Sequence, residues 1–198
     1  MENLKLAIIY YSATGTNHQL AKEAESAAQK LGVKEIRLRR IEETVPEEVM
    51  KENEGWYNHY QQTKSIATAS VDDLDWADAI VFSAPTRYGN LPSQFKSLLD
   101  ATGGLWQKGK LVNKVVSGMT SAGNPHGGQE TTLLSLYKTM MHWGAIIAAP
   151  GYCDPVLFET GGNPYGFSMV GGEALNDKQK KAIEVQVNRT LSLAAKLS

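Results

Sequence analysis

The sequence predicts a doubly wound α/β fold, a five-stranded parallel sheet with helices on both faces. Five short apolar runs alternate with stretches of helical period, and the first run is apolar almost without a break. The loops after the first, third and fourth runs are all rich in Gly, Ser, Thr and Asn. Strand–helix alternation builds a parallel sheet through right-handed crossovers. A strand covered on both faces reads as a continuous apolar run.

Leu4 to Tyr11 is the first such strand. Leu20, Ala24, Ala27 and Leu31 then recur at helical spacing, with Gly32 placed as a stop. Val33 to Leu38 reads as the second strand, while Val45 to Asp75 is polar, dotted with Tyr and Trp, and takes no assignment. Ala79 to Ala84 is the third strand, followed by a helix through Phe95, Leu98 and Leu99 with Pro92 in its first turn. Thr102 to Lys110 is Gly-rich around Trp106, and Val112 to Met119 is the fourth strand. A helix over Thr131 to Trp143 is expected to bury Leu133, Leu134, Tyr137 and Met141. Ala145 to Ala149 is the fifth strand, and Pro150 to Gly172 is a long loop holding GGNPYG. Loops of this length are usually functional or interfacial. Asn176, with Gln179 three residues on, opens the last helix, which turns Ile183, Val187, Leu191 and Ala194 inward.

No linker or repeat divides the 198 residues, so one domain spanning 1–198 is expected. A net charge of -1 without a Lys/Arg run argues against nucleic acid or an anionic membrane as partner. Cys153 is the only cysteine, which precludes an intrachain disulfide and suits a reducing compartment. With no leader pattern and no spanning apolar run, the expected location is cytoplasmic. His18, His59 and His126 form no metal-spaced set with carboxylates or Cys153, so no structural metal is expected.

The chemistry lies in three loops. Ser12-Ala13-Thr14-Gly15-Thr16-Asn17 opens a helix, where free N–H groups and the positive end of the dipole favour an anion. The loop has no Lys or Arg, and neither the triphosphate-loop nor the dinucleotide glycine pattern is present, so a single terminal phosphate fits it best. Pro85-Thr86-Arg87-Tyr88-Gly89-Asn90 and Thr120-Ser121-Ala122-Gly123-Asn124-Pro125-His126-Gly127-Gly128 follow the third and fourth strands. Small, hydroxylic, glycine-punctuated loops let backbone approach a flat polar ligand beyond the carboxyl edge of the sheet.

YYSATGTNHQLA, PTRYGNLPSQFKSLLDATGGLW, GGQETTLLSLYKTMMHWG and GGNPYG together resemble the WrbA-type NAD(P)H:quinone oxidoreductases, a flavodoxin-like family, over essentially the whole chain. The resemblance implies noncovalent FMN, two-electron reduction of quinones, NAD(P)H as donor, and a homotetramer that is a dimer of dimers. It places Ser12 to Asn17 at the FMN phosphate, and Pro85 to Asn90 along the isoalloxazine with backbone amides towards its N5 and carbonyl edge. Thr120 to Asn124 with Gly127 form the third cofactor loop, His142 lies at the flavin, and Trp106 is on the substrate side. The chain departs from the family pattern at Thr14, an aromatic position in the best-known member, and in the longer third loop with Pro125 and His126. No covalent nucleophile is implied, and Cys153 has no part. A one-electron flavodoxin-like carrier and a regulatory flavoprotein remain as alternatives; carriers are typically strongly acidic, and the net charge argues against that class.

Overall fold

The structure, a computed structural model, describes residues 1–197. Its elements run β1 (Lys5–Tyr10), α1 (Thr16–Lys30), β2 (Glu35–Arg40), α2 (Glu47–Met50), α3 (Glu54–Thr63), α4 (Val71–Trp76), β3 (Ala79–Pro85), α5 (Ser93–Asp100), α6 (Gly103–Gln107), β4 (Val115–Ala122), α7 (Gln129–Trp143), β5 (Ile146–Ile147), α8 (Val156–Glu159), β6 (Ser168–Val170) and α9 (Asp177–Leu197). The parallel sheet has the order β2-β1-β3-β4-β5. Winding reverses between β1 and β3, which opens a crevice at their carboxyl ends.

β1 shows how one apolar run makes two cores. Leu6, Ile8 and Tyr10 pack with Leu20, Ala24 and Ala27 of α1 and Ile183, Val187 and Leu191 of α9. Ala7, Ile9 and the following Tyr11 pack on the other face with Phe95 and Leu99 of α5 and Leu133, Leu136 and Met140 of α7. Alternate residues of a strand face opposite sides, so continuous apolarity is what a doubly covered strand requires. α9 begins as its sequence suggests: Asn176 N–H donates to Gln179 Oε1 and Gln179 N–H to Asn176 Oδ1.

The fifth strand position is split. β5 pairs with Val115 and Val116 of β4, whereas β6, unexpected from sequence, pairs with Thr120 to Ala122. Gly118 faces the gap between them, and its polar groups find other partners. The Tyr137 hydroxyl accepts from Gly118 N–H at 3.0 Å and donates to Tyr165 O at 2.6 Å. The Gln186 amide donates to Gly118 O at 2.8 Å and accepts from Phe167 N–H at 2.6 Å. Buried backbone groups must be paired, and here two side chains take the place of a missing strand residue.

Other departures from the sequence reading have local causes. The fourth strand starts at Val115 rather than Val112, because Asn113 adopts a left-handed φ of 64° and Val112 lies half exposed in a turn. The second starts at Glu35, since Val33 N–H closes the end of α1 on Ala28 O. It runs on through Arg39 and Arg40, charged residues that an edge strand accepts. α7 buries Leu133, Leu136, Tyr137, Met140 and Trp143, leaving Leu134 and Met141 exposed. Val45 to Asp75 contains α2, α3 and α4, with α4 fixed to β2 by Arg37 and Arg39, each 3.1 Å from Asp73. Among the described residues, no helix is long and apolar enough to cross a membrane, and no cluster of metal-binding side chains occurs.

Candidate functional site

β1, β3 and β4 deliver their carboxyl ends to one cleft of about 430 Å³. Ser12, Ala13, Thr14, Thr16, Asn17, Pro85, Thr86, Arg87, Ser121, Ala122 and Gly123 line it, together with Gly171 and Gly172. A cavity of about 580 Å³ opens nearby around His126, Gln129, Glu130 and Glu173. The smaller cleft holds the convergent donors.

The first loop turns into α1 through Gly15, whose φ of 105° suits glycine and whose N–H donates to Ser12 Oγ at 3.0 Å. The N–H groups of Ala13, Thr14, Thr16 and Asn17 find no acceptor among the described residues. Four free donors thus stand at the start of a 15-residue helix, an arrangement that favours an anion. The Asn17 side chain is spent within the protein, its Nδ2 donating to Ser121 Oγ at 2.7 Å and its Oδ1 accepting from Ser83 Oγ at 3.1 Å. Asn17 therefore offers a ligand its backbone N–H, while its amide ties the three strand ends together.

Glu43, just beyond β2, braces this corner. It accepts from Tyr11 Oη at 2.8 Å, Trp56 Nε1 at 3.1 Å and Gln94 Nε2 at 2.7 Å. Burial and the adjacent carboxylate hold the Tyr11 hydroxyl pKa well above its ordinary value.

The other expected residues divide. Thr86, Arg87, Gly89 and Asn90 N–H groups are engaged within the protein, with Ser121 O, Asn90 O, Thr86 Oγ1 and Arg87 O. Tyr88 sits fully exposed at the tip with φ 53°, a conformation uncommon for a bulky residue and typical of functional turns. Thr120 is a buried β4 residue rather than a loop residue, its hydroxyl donating to Ala84 O at 2.7 Å. Asn124 accepts from His126 N–H, Gly127 packs back on Ala122, and neither lines the cleft.

His142 and Trp106 do not reach the cleft of their own chain. α7 begins beside the third-strand turn, where Gly128 packs on Gly89, and its 15 residues at about 1.5 Å each carry His142 about 20 Å away. There the Trp106 Nε1–H donates to His142 O at 2.8 Å, and both residues are exposed. Conversely, Gly171 and Gly172 belong to the cleft although sequence reasoning did not select them. Gly171 N–H donates to Ala122 O, and a Cβ there would stand 3.1 Å from Thr16 Oγ1. The available signal was the glycine pair closing the long loop.

The sequence profile of the NADPH-dependent FMN reductases matches residues 4–153. The chain belongs to that family. It is 48% identical to an NAD(P)H dehydrogenase (quinone) from Deinococcus radiodurans, over 98% of this chain and 97% of that one. A protein of the same description from Syntrophus aciditrophicus is 42% identical over 88% and 87% of the two chains. The WrbA-like flavodoxin of Agrobacterium tumefaciens superposes with a TM-score of 0.68 at 20% identity, covering 99% of this chain and all of that one, and so shares the flavodoxin-like fold. The residues of this FMN reductase family member fit FMN: unpaired N–H groups suit a phosphate, and the small-residue walls at Pro85–Arg87 and Ser121–Gly123 leave room for a flat ring.

Proposed function

We propose that the chain is an FMN-dependent NAD(P)H:quinone oxidoreductase that reduces quinones to hydroquinones by two electrons in a ping-pong cycle. The observation that carries the reading is the seat of unpaired N–H groups at the β1–α1 turn, placed where the winding reverses and joined by the two other strand ends. The names of the relatives at 48% and 42% identity support the substrates. FMN held there would supply the redox chemistry, a hydride acceptor for the nicotinamide and a two-electron donor for the quinone. The protein binds and orients: Ser12, Thr14 and Thr16 hold the phosphate, while Pro85–Arg87 and Ser121–Gly123 wall the ring. Arg87, exposed at the rim of the cleft, would favour negative charge on a ring held there.

The reading is tested with purified protein. It is expected to be yellow, or to become so with FMN, and to oxidise NADH or NADPH with benzoquinone, giving parallel double-reciprocal lines. Protein that binds FMN but oxidises neither nucleotide would move the assignment to an electron carrier.

In this reading Trp106 and His142 serve the flavin of another subunit, in a tetramer built as a dimer of dimers. Exposed Trp106, Val112, Leu134 and Met141 support such packing, as an apolar strip along α7 and its neighbours calls for a partner. Trp106→Ala is then expected to raise KM for quinone about tenfold, near the upper range for lost aromatic stacking. FMN affinity should change less than twofold. Light scattering is expected to give four subunits; a monomer with unaltered quinone kinetics would remove both roles.

A further inference from the structure

The phosphate seat has no lysine or arginine among Ser12 to Asn17, yet a phosphate monoester is largely a dianion at neutral pH. N–H groups and the helix dipole contribute only partial charge. Directly against the seat lies a cluster of three titratable rings that the proposed chemistry does not use. His59 of α3 packs on the turn, its Nδ1 3.6 Å from where a Cβ on Gly15 would stand. His18, in the first turn of α1, has its ring centroid 5.4 Å from that of His59 and stacks on Tyr10 at 4.8 Å. Tyr10 Oη, His18 Nε2 and His59 Nε2 are all buried and have no hydrogen-bond partner among the described residues. Buried orphan polar atoms are rare and call for an explanation.

We infer that His59 and His18 are the charge-neutralising part of the phosphate seat, together taking up a proton when a phosphate dianion docks at the start of α1. This rests on the FMN reading and adds residues to it. Without the dianion both imidazoles are held neutral. Burial, with His18 beside it, pushes His59 down to about 4; burial and Lys22 lower His18, with Glu25 opposing. The charged and titratable groups around the cluster are Lys22 and Glu25 on α1, Arg40 on β2, Glu43 beyond it, and Tyr60 on α3. Lys22 pairs with Glu25, Arg40 is bound to Ile66 O, and Glu43 is taken up by Tyr11, Trp56 and Gln94. No unengaged carboxylate among them holds a proton on the rings. A dianion on the neighbouring N–H groups does, and since adjacent imidazolium ions repel, the pair is expected to share one proton.

Linkage gives the sign. A group protonated in the complex and neutral in the free protein makes binding weaken as pH rises, by a factor of ten per pH unit for each proton taken up. FMN is titrated calorimetrically into flavin-free protein near pH 7.5, above the phosphate's own second pKa of about 6, in buffers of different ionisation enthalpy. Uptake of about half to one proton per FMN is expected, with affinity falling roughly three- to tenfold between pH 7 and 8. Riboflavin, which lacks the phosphate, should bind with no uptake. His59→Gln should abolish most of the FMN-linked uptake and flatten the pH dependence, and His18→Gln should reduce it. Imidazole NMR titration of the unmutated protein, with and without FMN, reads the same proton without relying on either variant. FMN binding with no proton uptake, or uptake that survives His59→Gln in a folded protein, overturns the inference and leaves the FMN site standing. Failure to bind FMN at all overturns both.

Discussion

Thr14→Asp is expected to weaken FMN by about 100-fold while leaving the protein folded. Thr14 lines the cleft, is exposed, and spends no side-chain hydrogen bond on the fold. A carboxylate about 6 Å from a dianion, at an effective dielectric near 40, costs about 2.8 kcal/mol, which is the stated factor. Fluorescence titration reads it directly. Riboflavin separates charge from shape: its affinity should barely move, because repulsion acts on the phosphate alone. Raised salt should recover part of the loss, since the group is open to solvent. Unchanged FMN affinity at low salt would contradict a phosphate at this turn.

Gly166→Ala is expected to cost stability on the order of 3 kcal/mol, a severe case of overpacking. A Cβ there would stand 2.1 Å from Gly118 O and 3.2 Å from Gly118 C, main-chain atoms of a central strand that cannot rotate away. In a chain of 198 residues that corresponds to a melting temperature lower by roughly 6–12 °C, read by calorimetry. FMN affinity should fall as well, because β6 and Gly171 hang from this contact. Gly104→Ala is the control. Gly104 lies within α6 with nothing within 4 Å of the added carbon, so alanine there should be neutral or stabilising by up to about 1 kcal/mol. A melting temperature for Gly166→Ala equal to that of the unmutated protein would mean that the 148–167 excursion is not pinned at β4.

The legible part of the site is the part built from adjacent residues. Ser12 to Asn17 could be read as an anion seat because a helix start needs no distant partner to expose its N–H groups. The roles within it could not. Asn17 keeps its backbone N–H at the cleft, but Ser83 and Ser121, far along the chain, claim its side-chain amide. Thr120 looked like a loop residue because its strand is polar at its end; the backbone of β6 and the Ala84 carbonyl make it interior. His18 and His59 were set aside as lacking metal spacing, and only the packing of α3 on Gly15 places them together.

GGNPYG was distinctive in sequence for a reason that sequence could not express. It supplies the glycine that touches Gly118, and Tyr165 O and Phe167 N–H complete the side-chain bridge where the fifth strand is interrupted.

The sequence by itself determined the winding: continuous apolar runs demand cover on both faces, and helical stretches between them leave few topologies besides a parallel doubly wound sheet. It also determined the unpaired N–H groups at the start of α1, since the Gly15 turn and its hydroxyl neighbours act locally. Tertiary structure alone decided which polar groups remain free for a ligand. Hydrogen-bonding capacity is finite, and whether a given N–H, amide or hydroxyl is already satisfied depends on partners brought from remote segments of the chain.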